Sequence, residues 1–132
     1  MNKPTPDAVS ILVDAADTLT ARGKQRDQPS GERSMGRTVR AFNAVYGTSL
    51  TETQGWQFMT LLKLVRASSG SYHPDDYIDQ AGYAALAGEC AAQAQATAHA
   101  TAVRAARFDE AEPDILNLQS LLQTRHGTNP SS

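Results

Sequence analysis

The stretch AGYAALAGECAAQAQATAHATAVRAA, residues 81–106, limits the fold of this chain more than any other. It has no proline and is dominated by alanine, the best helix former, whose side chain loses no rotamer freedom in a helix. A chain built around it needs one long helix. Pro74 and the acids Asp75, Asp76 and Asp79 suit the start of that helix, proline in the first turn and carboxylates at the positive end of the dipole. Continued to Phe108, the helix spans ~50 Å at about 1.5 Å per residue. That exceeds what a compact bundle of this size needs, so part of it is expected to project, bend or pack on another subunit. Glu112-Pro113 is expected to stop it, with Ile115, Leu118, Leu121 and Leu122 forming a final short helix. HGTNPSS, residues 126–132, reads as a disordered tail.

The remaining segments are also helical. Ala8, Ile11, Leu12, Ala15, Ala16 and Leu19 recur at helical spacing and predict an amphipathic helix over 6–21, ended by Gly23. Residues 23–35 read as a long loop. A short helix follows over about 36–46, with Val39, Phe42, Val45 and Tyr46 inward and Gly47 as its stop. Thr51 looks like the N-cap of a third helix, whose apolar stripe of Phe58, Leu61, Leu62 and Val65 is expected to face the core. No segment reads as a strand. The expected fold is all-α, a bundle of about four to five helices in a single domain over residues 1–125.

With 132 residues the chain suffices for one domain with a core. A net charge of −2 gives no general pull toward nucleic acid or anionic membrane. No apolar run approaches the ~18 residues that span a bilayer. Asp14 and Asp17 interrupt the apolar stretch near the start, so no secretory signal is expected, and the expected compartment is the cytoplasm. Cys90 is the only cysteine, which excludes an intrachain disulfide. It shares a face with Leu86, and packing explains it better than nucleophilic chemistry.

Successive helical residues lie ~100° apart. With Asp75 at zero, Leu86 falls at about 20°, Asp79 at about 40°, Cys90 at about 60°, Tyr83 at about 80° and Asp76 at about 100°. Asp75 and Asp79 therefore continue the stripe that is apolar further along, and carboxylates drawn toward a core need partners. Met59, Lys63, Arg66 and Trp56 form a ridge on one flank of the third helix, one turn separating Lys63 from Arg66. Two arrangements satisfy this geometry. In one, Asp75 or Asp79 pairs with Lys63 or Arg66 as a clamp between helices. In the other, the acids hold Mg²⁺ and the basic residues hold phosphate oxygens, with Trp56 or Tyr83 against a base.

Several motifs then occur in a characteristic order: Asp14-Ala-Ala-Asp17, Arg22-Gly-Lys24, Gly31-Glu32-Arg33-Ser34-Met35, Leu62-Lys63-Leu64-Val65-Arg66, and the run from Asp75 to Tyr83. Together they resemble a small domain family of phages and prophages, largely of unknown function, over roughly residues 8–90. That family is in turn similar, more distantly, to the all-α nucleoside triphosphate pyrophosphohydrolases of the MazG type. The resemblance implies a MazG-like bundle over 8–90 with a helical extension over 91–125. It implies cleavage between the α and β phosphates with Mg²⁺ held by acids on neighbouring helices, and assembly as a dimer or tetramer.

The signature of those enzymes is Glu-Glu-x-x-Glu on one helix and Glu-x-x-Asp on a later one. Asp76-x-x-Asp79 stands for the second half. Asp14-x-x-Asp17 has the spacing of the first half, but its side chains are shorter and no acid is doubled. On this resemblance the metal candidates are Asp75, Asp76, Asp79, Asp14, Asp17 and Glu32. Asp79, Lys63 and Arg66 are the catalytic candidates, and Arg22 and Lys24 join Lys63, Arg66, Trp56 and Tyr83 as nucleotide-binding candidates. The alternative is a non-catalytic oligomeric module that captures a nucleotide or a host protein, for instance to blunt host defence, its acids held in salt bridges.

Overall fold

The computed structural model describes residues 5–25 and 34–125, with side chains described for 5–24 and 34–109. Four helices and no strand occur among the described residues: α1 (Ala8–Gln25), α2 (Ser34–Tyr46), α3 (Glu52–Ser68) and α4 (Pro74–Arg125). The fold is all-α, as the composition and periodicity predict. The chain divides into two compact units, Met1–Ala92 and Gln93–Ser132.

Local chemistry explains most helix ends in the first unit. Asp7 caps α1, its Oδ1 accepting the Ser10 N–H at 2.8 Å. That backbone hydrogen bond holds the Asp7 carboxyl below its ordinary value. α1 does not end at Gly23 as expected; it continues to Gln25. One glycine weakens a helix by only about 1 kcal/mol, and Arg22 and Lys24 in the last turn suit the negative end of the dipole.

α2 does end before Gly47, which adopts φ +65° and donates its N–H to the Asn43 carbonyl at 2.9 Å. The Asn43 amide then shapes the link to α3. Its Nδ2 donates to the Leu50 carbonyl at 2.9 Å, and its Oδ1 accepts from the Leu50 N–H at 2.9 Å and the Thr48 hydroxyl at 2.7 Å. Thr51 and Gln54 form a reciprocal capping box, the Gln54 N–H donating to Thr51 Oγ1 at 3.2 Å and the Thr51 N–H to Gln54 Oε1 at 2.9 Å. Gly55 lets α2 approach α3 closely. A Cβ there would lie 2.5 Å from Met35 Sδ and 2.9 Å from Val39 Cγ1.

The core of this unit gathers Trp56, Ala87 and Cys90, with Met35, Met59, Tyr83 and Leu86 packed against it. Two expectations about facing fail here. On α3, Phe58, Leu61, Leu62 and Val65 are 68%, 57%, 42% and 59% exposed, whereas Trp56 and Lys63 point inward at 6% each. On α2 only Val39 of the expected inward set is buried, with Phe42, Val45 and Tyr46 exposed. α1 behaves alike: Ala15 is buried and Ile11 and Leu19 are half-buried, but Leu12 and Ala16 face solvent beside Val9 and Val13. The physical reason is that α3 carries two stripes on opposite sides. The ridge with Lys63 and Trp56 meets the acids and aromatics of α4, so the purely apolar stripe is turned outward.

α4 runs through Pro113 to Arg125, so the expected stop at Glu112-Pro113 and the separate final helix do not occur. A proline removes one backbone donor, and helix already propagating on both sides of it tolerates that loss locally. In the second unit, residues 93–109 are helical with exposed side chains. Thr97 and Thr101 hydroxyls donate to carbonyls one turn back, at 2.9 Å each, and the Arg104 guanidinium lies 5.8 Å from the centre of the Phe108 ring. The expected tail, residues 126–132, lies outside the described residues, as do the side chains of Ile115, Leu118, Leu121 and Leu122.

Candidate functional site

The first turns of α4 and the middle of α3 bring the predicted acids and bases together. Lys63 Nζ lies 2.8 Å from Asp79 Oδ2, 3.1 Å from Asp75 Oδ2 and 3.6 Å from Asp76 Oδ1. Arg66 Nε stands 3.5 Å from Asp76 Oδ1, and Arg22 of α1 reaches Asp79 Oδ1 at 3.2 Å. Three carboxylates thus face three cations supplied by two other helices. Lys63, Asp76 and Asp79 are buried, while Asp75 is 73% exposed at its side chain.

The helical wheel put Asp75 and Asp79 inward with Asp76 at the edge; the structure puts Asp76 and Asp79 inward and Asp75 at the rim. The buried positions Asp76, Asp79, Ala87 and Cys90 and the packed Tyr83 centre at about 70–80° on that wheel, leaving zero at the margin. Asp75 still reaches Lys63 from there.

Burial of Lys63 pulls its pKa down, but the hydrogen bonds it donates to Asp79 and Asp75, together with their charges, outweigh that effect and hold the ammonium above its ordinary value. Arg22 follows the same pattern: desolvation opposes, while the Asp79 charge and a hydrogen bond with Tyr83 prevail and raise its pKa. Lys63 is therefore a permanent cation at neutral pH, unsuited to act as a base. One atom stands out. Asp76 Oδ1 is buried and makes no hydrogen bond, although two cations flank it. A buried acceptor without a hydrogen bond is costly, and the charges of Lys63 and Arg66 at 3.6 Å and 3.5 Å offset part of that cost.

The other predicted residues are distributed around this cluster. Trp56 is a core residue, its ring stacked on Tyr83 with centroids 5.7 Å apart, so both aromatics pack on each other. Lys24, Asp14 and Asp17 are exposed on α1. Asp14 borders a cleft of about 700 Å³ with Asp7, Tyr72, Pro74 and Ile78, near the start of α4. Glu32 lies outside the described residues. Among the described residues, no group of three or more His, Cys, Asp or Glu is placed to hold a metal ion. The point on which the three aspartates converge is taken by an ammonium group.

His73 is exposed and its Nε2 contacts the Ser71 hydroxyl at 3.4 Å, and His99 is exposed on α4. Cys90 is buried in the core. Arg22 is the residue whose role the sequence placed least well, at a loop edge rather than against Asp79. A signal was present: Ala15, Leu19 and Arg22 follow one another at helical spacing on the side of α1 that faces inward.

The profile of a family described as a domain of unknown function (DUF6378) matches residues 10–91. The chain belongs to DUF6378. The matched span contains the whole cluster, from Arg22 through Lys63 and Arg66 to Asp75, Asp76 and Asp79. It ends at the boundary of the first compact unit, so the DUF6378 region is a structural unit as well as a sequence unit. No curated protein and no solved structure matches the chain. In the DUF6378 unit, what the cluster does chemically is join α1, α3 and α4 through buried charge, with the side chains of Arg22 and Arg66 at its rim, 42% and 59% exposed.

Proposed function

We propose that this DUF6378 protein is a cytoplasmic, homo-oligomeric nucleotide-handling module that holds its ligand without metal-centred hydrolysis. In this reading Asp75, Asp76 and Asp79 are ion-pair partners. The observation that carries it is the Lys63 ammonium within 3.6 Å of all three carboxylates. A Mg²⁺ ion there would have to displace that ammonium and assemble near-octahedral oxygens around itself.

The nucleotide part is supported by the motif order, which resembles that of a phage and prophage family similar, more distantly, to MazG-type enzymes. It is supported also by Arg22 and Arg66. Each guanidinium is a planar fork of five N–H donors, more than pairing with one aspartate engages, and the two side chains are partly exposed. Phosphate oxygens suit that fork. With Trp56 in the core, the base would not be held by that ring.

A second reading, a Mg²⁺-dependent nucleoside triphosphate pyrophosphohydrolase, is favoured by one observation: Asp76 Oδ1, buried and without a hydrogen bond, is an oxygen with a free coordination position. It requires Lys63 to leave and further oxygens from Glu32, from Asp14 and Asp17, or from a second chain.

Incubation with a panel of nucleoside triphosphates and Mg²⁺, following pyrophosphate release and nucleotide retention in parallel, separates the two. The first reading expects retention without release, weakened by Arg22→Ala and Arg66→Ala. Pyrophosphate release that Asp79→Asn abolishes would establish the second. Absence of both retention and release would remove the nucleotide from either reading and leave the cluster a purely structural clamp.

A further inference from the structure

The three cations of the cluster are held in different ways. Lys63 is 6% exposed, lies within 3.6 Å of all three carboxylates and comes closest to Asp79, 2.8 Å from Oδ2. Arg22 and Arg66 are 42% and 59% exposed, and each stands beside a single buried acid. Arg22 takes the other oxygen of Asp79, Oδ1, at 3.2 Å. Arg66 Nε lies 3.5 Å from Asp76 Oδ1 and makes no hydrogen bond to it.

This division decides which cation can move. Withdrawing Lys63 strands buried charge. Withdrawing Arg22 does not, because Asp79 keeps the Lys63 ammonium at 2.8 Å. When Arg66 moves, Asp76 likewise keeps Lys63 at 3.6 Å. Ion pairs with one partly exposed partner contribute little to stability. Lys63 is thus the resident counter-ion of the acids, and the two arginines are exchangeable.

From this geometry we infer that Asp79 and Asp76 are autoinhibitory contacts: in the free chain they occupy Arg22 and Arg66, and an incoming phosphate chain takes each arginine from its aspartate. Lys63 permits the exchange by keeping both acids neutralised throughout. The observed affinity is then a difference between two contacts of the same guanidinium, one with phosphate and one with carboxylate. The inference rests on the phosphate-binding part of the proposed function. It gives Asp76 and Asp79 an effect on affinity opposite in sign to that of metal ligands, whose removal weakens binding.

Isothermal titration of the full chain with inorganic triphosphate, without Mg²⁺, tests it. Asp79→Asn keeps the shape of the side chain and removes the competing charge, and is expected to tighten binding about tenfold, since a charge-assisted contact no longer has to be given up. Asp76→Asn is expected to act in the same direction through Arg66. Lys63 keeps two carboxylates in either variant, so both are expected to fold, which far-UV circular dichroism checks. Asp75→Asn is the control. It removes the same charge 3.1 Å from Lys63 but from beside neither arginine, and is expected to change the affinity less than about threefold, its long-range effect being screened by salt. Binding by the unaltered chain that Asp79→Asn and Asp76→Asn leave unchanged or weaken would overturn the inference alone. Equal tightening by Asp75→Asn would overturn it too, because net charge then accounts for the effect. No binding by the unaltered chain or by any folded variant would overturn it together with the phosphate contacts of the proposed function.

Discussion

Lys63→Met removes the one charge shared by all three carboxylates while preserving an unbranched apolar stem. At 2.8 Å the Lys63–Asp79 attraction is about 6 kcal/mol with an effective dielectric of 20, before the opposing desolvation of both groups. Net values are smaller. Breaking a buried pair by removing one partner costs about 3–5 kcal/mol, because the remaining charge stays buried without compensation. Here two buried carboxylates are left, Asp76 and Asp79. Arg66 and Arg22 remain beside them at 3.5 Å and 3.2 Å, which places the expected loss near the low end, about 3 kcal/mol.

Asp75→Asn touches the same ammonium from an exposed position, so its expected effect is within about 1 kcal/mol. Urea unfolding at neutral pH and fixed protein concentration, followed by far-UV circular dichroism and by Trp56 fluorescence, measures both. The buried Trp56–Tyr83 stack gives the second signal, and coincident transitions test two-state behaviour. A Lys63→Met variant no more destabilised than Asp75→Asn would refute this account of the cluster.

Three further outcomes are expected. Gly55→Ala sets a methyl against Met35 and Val39; about 1–3 kcal/mol of overpacking should appear as a lower melting temperature. Thr51→Ala removes one half of the capping box, and a loss of about 1 kcal/mol in urea unfolding is expected, with Thr51→Ser recovering most of it. Because the folded pKa of Lys63 is raised, its stabilisation is fully present below the unfolded lysine value of about 10.4 and is lost as pH climbs through the folded value. A melting-temperature profile should show an alkaline decline above that point which Lys63→Met lacks.

The sequence was most informative where the determinant is local. Thr51 as a cap, Gly47 as a helix stop and Pro74 with its acids as a helix start were all legible, because each depends on the residues within one turn of it. So was the meeting of Lys63 and Arg66 with the acids of α4, since helical spacing placed them on ridges able to face each other. Two helix boundaries differ from the sequence expectation for the opposite reason. Gly23 and Pro113 are locally unfavourable in a helix, but one unfavourable residue does not outweigh the turns already formed around it. With α1 continuing to Gln25, Arg22 lies in its last turn and not at a loop edge.

What the sequence by itself determined about this protein is its helical class, most of its caps, and the pairing of one basic ridge with one acidic helix start. What only the tertiary structure decided is which stripe of α3 faces inward, which of the aspartates is buried, and that Lys63 occupies the point on which they converge. An apolar stripe requires cover, but its spacing does not say from which chain the cover comes. In this protein the ion-pair ridge and Trp56 take the inner side of α3, because the buried acids of α4 need cations beside them, and Phe58, Leu61, Leu62 and Val65 are left facing outward.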